Sequence, residues 1–67
     1  KMKIGDLVEP KHDDLLPGGE RSYGIVTSIS HQFDGQRYAN VSWIIRERNT
    51  IMEFNLPINV LRVISKA

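Results

Sequence analysis

The sequence contains no cysteine, and this absence removes several classes of site at once. Disulfide bonds, cysteine-ligated zinc and thiol nucleophiles are all excluded. No apolar run approaches the ~20 residues that a membrane-spanning helix needs, and no signal-peptide pattern stands at the start. We therefore expect a cytoplasmic protein without a membrane segment. Because Lys1 precedes Met2, we also expect Met2 to begin the natural chain and the sequence to hold nearly all of it.

A strong charge of either sign is missing too. Nine Lys and Arg against eight Asp and Glu give a formal net charge of +1. Dedicated nucleic-acid binders usually carry a larger basic excess, because phosphate contacts supply most of their affinity. A chain of 67 residues forms one domain, residues 1–67. A domain of this size buries only about 60% of its unfolded surface, so its stability should be modest unless oligomerisation adds to it.

Two strand-like segments joined by a turn form the clearest structural unit. In residues 37–45, apolar and polar side chains alternate with the period of two expected of a half-buried strand, and one face carries Ala39, Val41, Trp43 and Ile45. Residues 23–30 are rich in β-branched side chains but alternate less regularly, which suits a bent strand with a bulge near Gly24. Asp34-Gly35 between them is a strong turn signal, so the sequence predicts an antiparallel hairpin.

A first strand is predicted before this hairpin, at residues 2–9, with a bend at Gly5-Asp6. Its inward residues are expected to be Ile4 and Val8. Pro10 should end regular pairing, because proline has no amide hydrogen to donate. A polar loop rich in turn formers follows at residues 10–22, and a loop of this length in a small domain is often functional or mobile.

Two more strands are predicted after the hairpin. A tight turn at residues 46–49 leads into a fourth strand at residues 50–55. Pro57 favours one turn of 3-10 helix, because proline is well suited to the first position of a short helical turn. A fifth strand is predicted at residues 60–65. The residues predicted to point inward from these two strands are Met52, Phe54, Leu61 and either Val63 or Ile64.

This layout of five short strands, with a long loop after the first and one 3-10 turn before the fifth, resembles an SH3-like barrel. In detail it is similar to the small KOW- and Tudor-like barrels. The segments that carry the resemblance are Ile4-Gly5-Asp6-Leu7-Val8, Gly24-Ile25-Val26, Val41-Ser42-Trp43 and Leu61-Arg62-Val63-Ile64. The resemblance implies an all-β, five-stranded barrel. Stand-alone barrels of this size also resemble small phage-encoded proteins.

The binding residues of those families are only partly matched. The long loop carries Asp13, Asp14 and Glu20 but lacks the aromatic residues of a proline-peptide groove. Tudor-like barrels hold methylated cations in an aromatic cage, which the few aromatic residues here do not complete. KOW-type modules bind RNA or protein through loops, so the resemblance implies either kind of partner.

Metal and catalytic sites have little support in the sequence. His12-Asp13-Asp14 has metal-binding side chains, but adjacent loop residues seldom converge on one ion, and a solvated acidic loop is the preferred interpretation. The sequence has neither a Ser-His-Asp pattern nor a glycine-rich phosphate loop before a helix. We therefore expect no metal, no cofactor, no small-molecule substrate and no enzymatic activity.

Exposed apolar residues support the preferred functional hypothesis. Ile44 and Ile51 fall on outward positions on either side of the 46–49 turn, and Leu7 is a third candidate. Single exposed apolar residues are ordinary, whereas several on one sheet face mark a docking or self-association surface. The hypothesis is a small non-enzymatic module that binds another protein or itself through this face. The residues assigned to it are Ile44, Ile51, Arg46 and Arg48.

The alternative hypothesis is KOW-like binding of RNA or single-stranded DNA. Basic side chains beside aromatic rings bind single strands through phosphate contacts and base stacking. The residues assigned to this activity are Arg37, Tyr38, Trp43, Arg46, Arg48 and Arg62. Glu47 and Glu53 interrupt this basic patch. Trp43 also shares a face with apolar neighbours on its strand, which favours a core position for it.

Overall fold

The chain folds into one antiparallel five-stranded β-sheet, in a computed structural model that describes residues 1–12, 22–32, 34–45 and 49–67. The elements are β1 Leu7–Pro10, β2 Tyr23–His31, β3 Arg37–Ile45, β4 Thr50–Pro57, a 3-10 turn Ile58–Val60 and β5 Leu61–Ser65. Their order across the sheet is β4-β3-β2-β1-β5. The all-β class, the 3-10 turn and the central hairpin are confirmed. The sheet is open, with β4 and β5 at its edges, so closure into the predicted barrel is not confirmed.

Two predicted segments fall largely outside the described residues. They are most of the loop at residues 10–22 and all of the 46–49 turn except its last residue. That residue, Asn49, has a left-handed backbone with a φ of 51°. The turn predicted at Asp34-Gly35 is present, and the Asp34 carboxylate accepts a hydrogen bond from the Gln36 amide at 2.9 Å.

β3 has the bounds that its alternation predicts, Arg37–Ile45. It pairs with β2 on one side and with β4 on the other, so Trp43 lies between Gly24 and Met52 in the sheet. The predicted inward face is buried throughout. Among the described residues, the buried apolar core consists of Met2, Val8, Val26, Ala39, Val41, Trp43, Ile45 and Leu61.

A β-bulge in β2 explains why that strand alternates irregularly in sequence. The pairing with β3 shifts register between Val26 and Ser28, so one extra residue is inserted there. Val26 is buried and Ile29 packs against the core after the bulge, whereas Ile25 is 48% exposed. Ile25 and Ile29, which strict alternation from the sequence would place on one face, therefore face opposite sides of the sheet, because a bulge reverses the alternation beyond it. The bulge also lies further along the strand than Gly24, where it was predicted.

The first strand begins later in the chain than predicted. Residues 3–6 form a turn, in which the Asp6 amide donates to the Lys3 carbonyl at 3.1 Å and Gly5 has a φ of 94°. β1 therefore begins only at Leu7, and Ile4 is 63% exposed instead of inward. Val8 is buried as predicted.

Pro10 does not end the pairing of β1. It is the last residue of the strand and lies opposite Leu61 of β5. The next amide, of Lys11, donates to the Val60 carbonyl at 2.9 Å and continues the contact. β1 pairs with β2 only at its first two residues, Leu7 and Val8, so no β1–β2 ladder bond requires the amide that proline lacks.

β4 and β5 match most of their predictions. Met52 and Phe54 pack against the core. β4 runs on to Pro57, which caps the 3-10 turn instead of occupying its first position. In β5 the inward residue of the predicted pair is Val63, while Ile64 is 50% exposed at a register shift between β5 and β1.

A buried carboxylate, that of Asp6, joins the two ends of the described chain. Its Oδ2 accepts a hydrogen bond from the Lys3 amide and its Oδ1 accepts one from the Ala67 amide, both at 2.9 Å. The Ala67 amide first and the Lys3 amide second lower the pKa of Asp6 below 3.8, against a weaker opposing effect of burial. Hydrogen bonds to the ionised form thus hold Asp6 charged in the folded state.

The lowered pKa of Asp6 predicts a pH-dependent stability. The carboxylate contributes stability above its unfolded-state pKa of 3.8, and the contribution is lost as pH falls through the lower folded-state pKa. We expect Asp6→Asn to lower the urea midpoint near neutral pH and to reduce its further fall on acidification. Glu53→Gln, at an exposed carboxylate of β4, is the control. Parallel pH profiles for wild type and Asp6→Asn would contradict this role.

Candidate interaction surfaces

The outer face of the sheet carries a row of apolar side chains across three strands. Ile44 of β3 lies directly opposite Tyr23 of β2 on one side and Ile51 of β4 on the other. Directly opposed residues in antiparallel strands have Cβ atoms about 5 Å apart on the same face. Ile51 is 71% exposed, while Tyr23 and Ile44 are half-buried. The two isoleucines that the sequence assigned to a docking face are therefore direct neighbours.

The row continues towards β1. Ile25 is two residues beyond Tyr23 on β2, so the two side chains share the outer face. Leu7 of β1 lies opposite Ile25 and is half-buried. We call the set Leu7, Tyr23, Ile25, Ile44 and Ile51 the outer patch. Arg46 and Arg48, which the sequence assigned to the same face, lie outside the described residues.

The residues assigned to nucleic-acid binding do not form one surface in the described part of the chain. Trp43 is fully buried, so its ring is not available at the surface for stacking on a base. Arg37 begins β3, whereas Arg46 follows its last residue. Arg46 and Arg48 lie outside the described residues, so of these three arginines only Arg37 has a described position.

Two further residues of that set, Arg62 and Tyr38, already have carboxylate partners. Arg62 Nη1 forms an exposed ion pair of 3.1 Å with Glu9 Oε2 between β5 and β1. The Tyr38 hydroxyl donates to Asp34 Oδ2 at 3.2 Å. Partial desolvation first, and then the Asp34 charge, raise the pKa of Tyr38 above 10.0. Both neighbouring carboxylates would repel a phosphate.

A basic groove on another part of the molecule was not predicted from the sequence. It has a volume of about 730 Å³ and is open to solvent. Its lining consists of Lys1, Met2, Lys3, Ile4, Ile29, Arg37 and Lys66. Four of these seven lining residues are lysine or arginine. None of the seven is an aspartate or a glutamate.

The sequence gives little indication of this groove, because the residues that line it are far apart in the chain. The lysines come from the two ends of the chain, which meet only because β1 pairs with β5. Arg37 joins them from the start of β3. The overall charge of +1 conceals this local concentration of positive charge.

Within residues 1–12, 22–32, 34–45 and 49–67, no three His, Asp or Glu side chains converge as metal ligands would. The same residues include no helix with the length and apolar character needed to cross a membrane.

Comparison with known proteins gave no match to a family model, to a curated protein or to a solved structure.

Proposed function

We propose that the protein is a small non-enzymatic interaction module that binds a protein surface through the outer patch. The observation that carries the proposal is the Tyr23–Ile44–Ile51 row, in which cross-strand neighbours join an exposed isoleucine to two half-buried apolar side chains. Contiguous exposed apolar surface is unfavourable in water and is typical of binding faces.

A second copy of the chain is the occupant that we propose for the outer patch. An apolar patch is self-complementary, since a two-fold axis places the same residues of two copies against each other. Among the described residues, the core contains eight buried apolar side chains. A domain this small gains stability when association buries further apolar area.

Charge insertion at the most exposed residue of the outer patch tests this proposal. Ile51 is 71% exposed, so Ile51→Lys should leave the fold intact. Burying an unpaired lysine at an interface is costly, and we expect association to weaken by at least about tenfold. Sedimentation equilibrium over a concentration series measures the effect as a change in average mass.

Ile4→Lys is the matched control for this experiment. Ile4 is also highly exposed, at 63%, but it lies in the basic groove and not on the outer patch. Its association should equal that of the wild type. A wild type that stays monomeric up to about 1 mM, where weak contacts are populated, would contradict self-association. Equal weakening by the two variants would remove the outer patch from the interface.

We also propose that the sheet curls towards the SH3-like barrel that the sequence resembles. Residues from both edge strands pack on one core, with Phe54 of β4 and Leu61 of β5 in the same cluster. The bulges in the β2–β3 and β1–β5 pairings supply the local bending that such curvature needs. The KOW-like nucleic-acid function has less support, because Trp43 is in the core and Arg62 is paired with Glu9.

A further inference from the structure

We propose that the basic groove binds an acidic peptide segment that carries one apolar side chain. The groove is separate from the outer patch, because Ile29 and Arg37 lie at the hairpin end of β2 and β3, while Tyr23 and Ile44 lie at the opposite end. An experiment that contradicts one of the two proposals would therefore leave the other unaffected.

The charges of the groove select an anionic partner. Lys1, Lys3 and Lys66 are exposed and Arg37 is half-buried. Within the described part of the chain, the one ion pair is that of Arg62 with Glu9, so no salt bridge holds the four groove cations there. The buried Asp6 carboxylate attracts Lys3 electrostatically, but it does not line the groove. Lys1 precedes the natural start expected at Met2, so the cations that remain in the groove with either start are Lys3, Arg37 and Lys66. Neighbouring positive charges attract an acidic segment and speed its association.

The floor of the groove selects an apolar anchor within that segment. Met2 belongs to the core, Ile29 packs against it, and Ile4 stands 63% exposed at the same groove. A side chain placed over these three residues would remove apolar surface from water on both sides of the contact. Binding would then combine burial of one apolar residue with ion pairs at the rim.

The same lining disfavours other anions. Single-stranded nucleic acid binds where bases stack on aromatic rings, and the described lining contains no aromatic residue. Small ligands are held in sites that enclose most of their surface, whereas this groove is open to solvent. A peptide segment needs neither an aromatic platform nor enclosure.

Fluorescence anisotropy with a defined probe tests the proposal. The probe is a labelled peptide, Glu-Glu-Asp-Leu-Asp-Glu-Glu, and it is compared with the same peptide carrying serine in place of leucine. We expect saturable binding that weakens with salt, and weaker binding of the serine peptide. Lys66→Glu and Arg37→Gln should each weaken binding of the leucine peptide by about three- to tenfold.

Lys11→Glu is the charge-matched control for Lys66→Glu. Lys11 is exposed and lies outside the groove, so its reversal should change affinity by less than about twofold. Equal weakening by the two reversals would overturn the proposal, because binding would then depend on net charge alone. No binding of the probe, equal affinity for the serine peptide, or tighter binding of an oligothymidine of matched charge would also overturn it.

Discussion

Trp43→Ala is expected to destabilise the protein by about 3–5 kcal/mol, because it removes the largest fully buried side chain from the core. A domain of 67 residues has a total stability of roughly 3–10 kcal/mol. The loss is therefore a large share of the total, and a substantial fraction of the variant should be unfolded near room temperature. Urea unfolding followed by far-UV circular dichroism measures the effect, since the variant has no tryptophan left to report by fluorescence.

Trp43→Phe is the matched control for Trp43→Ala, because the phenyl ring leaves a smaller cavity in the core. The indole Nε1–H has no acceptor within the described residues. Replacing the indole by a phenyl ring therefore mainly reduces the buried side-chain volume. We expect a smaller loss of about 1–2 kcal/mol. If Trp43→Ala cost less than about 1 kcal/mol, the ring would not be a core element. It would then again be a candidate for base stacking.

Gly24→Ala is the second substitution with a large expected effect. A Cβ at Gly24 would lie 2.5 Å from Val41 Cγ1, 2.6 Å from the Ser42 carbonyl oxygen and 3.0 Å from Trp43 Cε3. The carbonyl belongs to the β2–β3 ladder and cannot move without disturbing strand pairing. We expect a loss of about 2–3 kcal/mol, which corresponds to a fall in Tm of about 10–20 °C.

The control for Gly24→Ala is Ser28→Ala, at an exposed position of the same strand. It should change stability by less than about 0.5 kcal/mol. Thermal unfolding of the three proteins gives the comparison. If Gly24→Ala were as stable as wild type, the close approach of β2 and β3 at this residue would be wrong.

Strand bounds and inward residues are predicted best from the sequence where a single rule determines the structure of a segment. β3 is paired on both sides and has one buried face, so alternation alone gives its bounds and its inward residues. β2 fails the same rule, because the bulge after Val26 changes which residues face the core. The apolar pattern alone does not locate such an insertion.

Features that join distant parts of the chain could not be predicted from the sequence. Asp6 and Ala67 are 61 positions apart, and only the β1–β5 pairing brings them into hydrogen-bonding distance. The basic groove depends on the same meeting of the chain ends. By contrast, Ile44 and Ile51 flank one turn, so their outward positions follow from local alternation, and the pairing then shows them to be direct neighbours.

An NMR concentration series tests the outer patch most directly, because each backbone amide reports its own environment. Spectra of the wild type are recorded from about 20 µM to about 1 mM, the range in which weak self-association is populated. The proposed interface predicts concentration-dependent shifts centred on Tyr23, Ile25, Ile44 and Ile51, and their absence in Ile51→Lys. Spectra that do not change with concentration, or changes confined to residues of the basic groove, would contradict it.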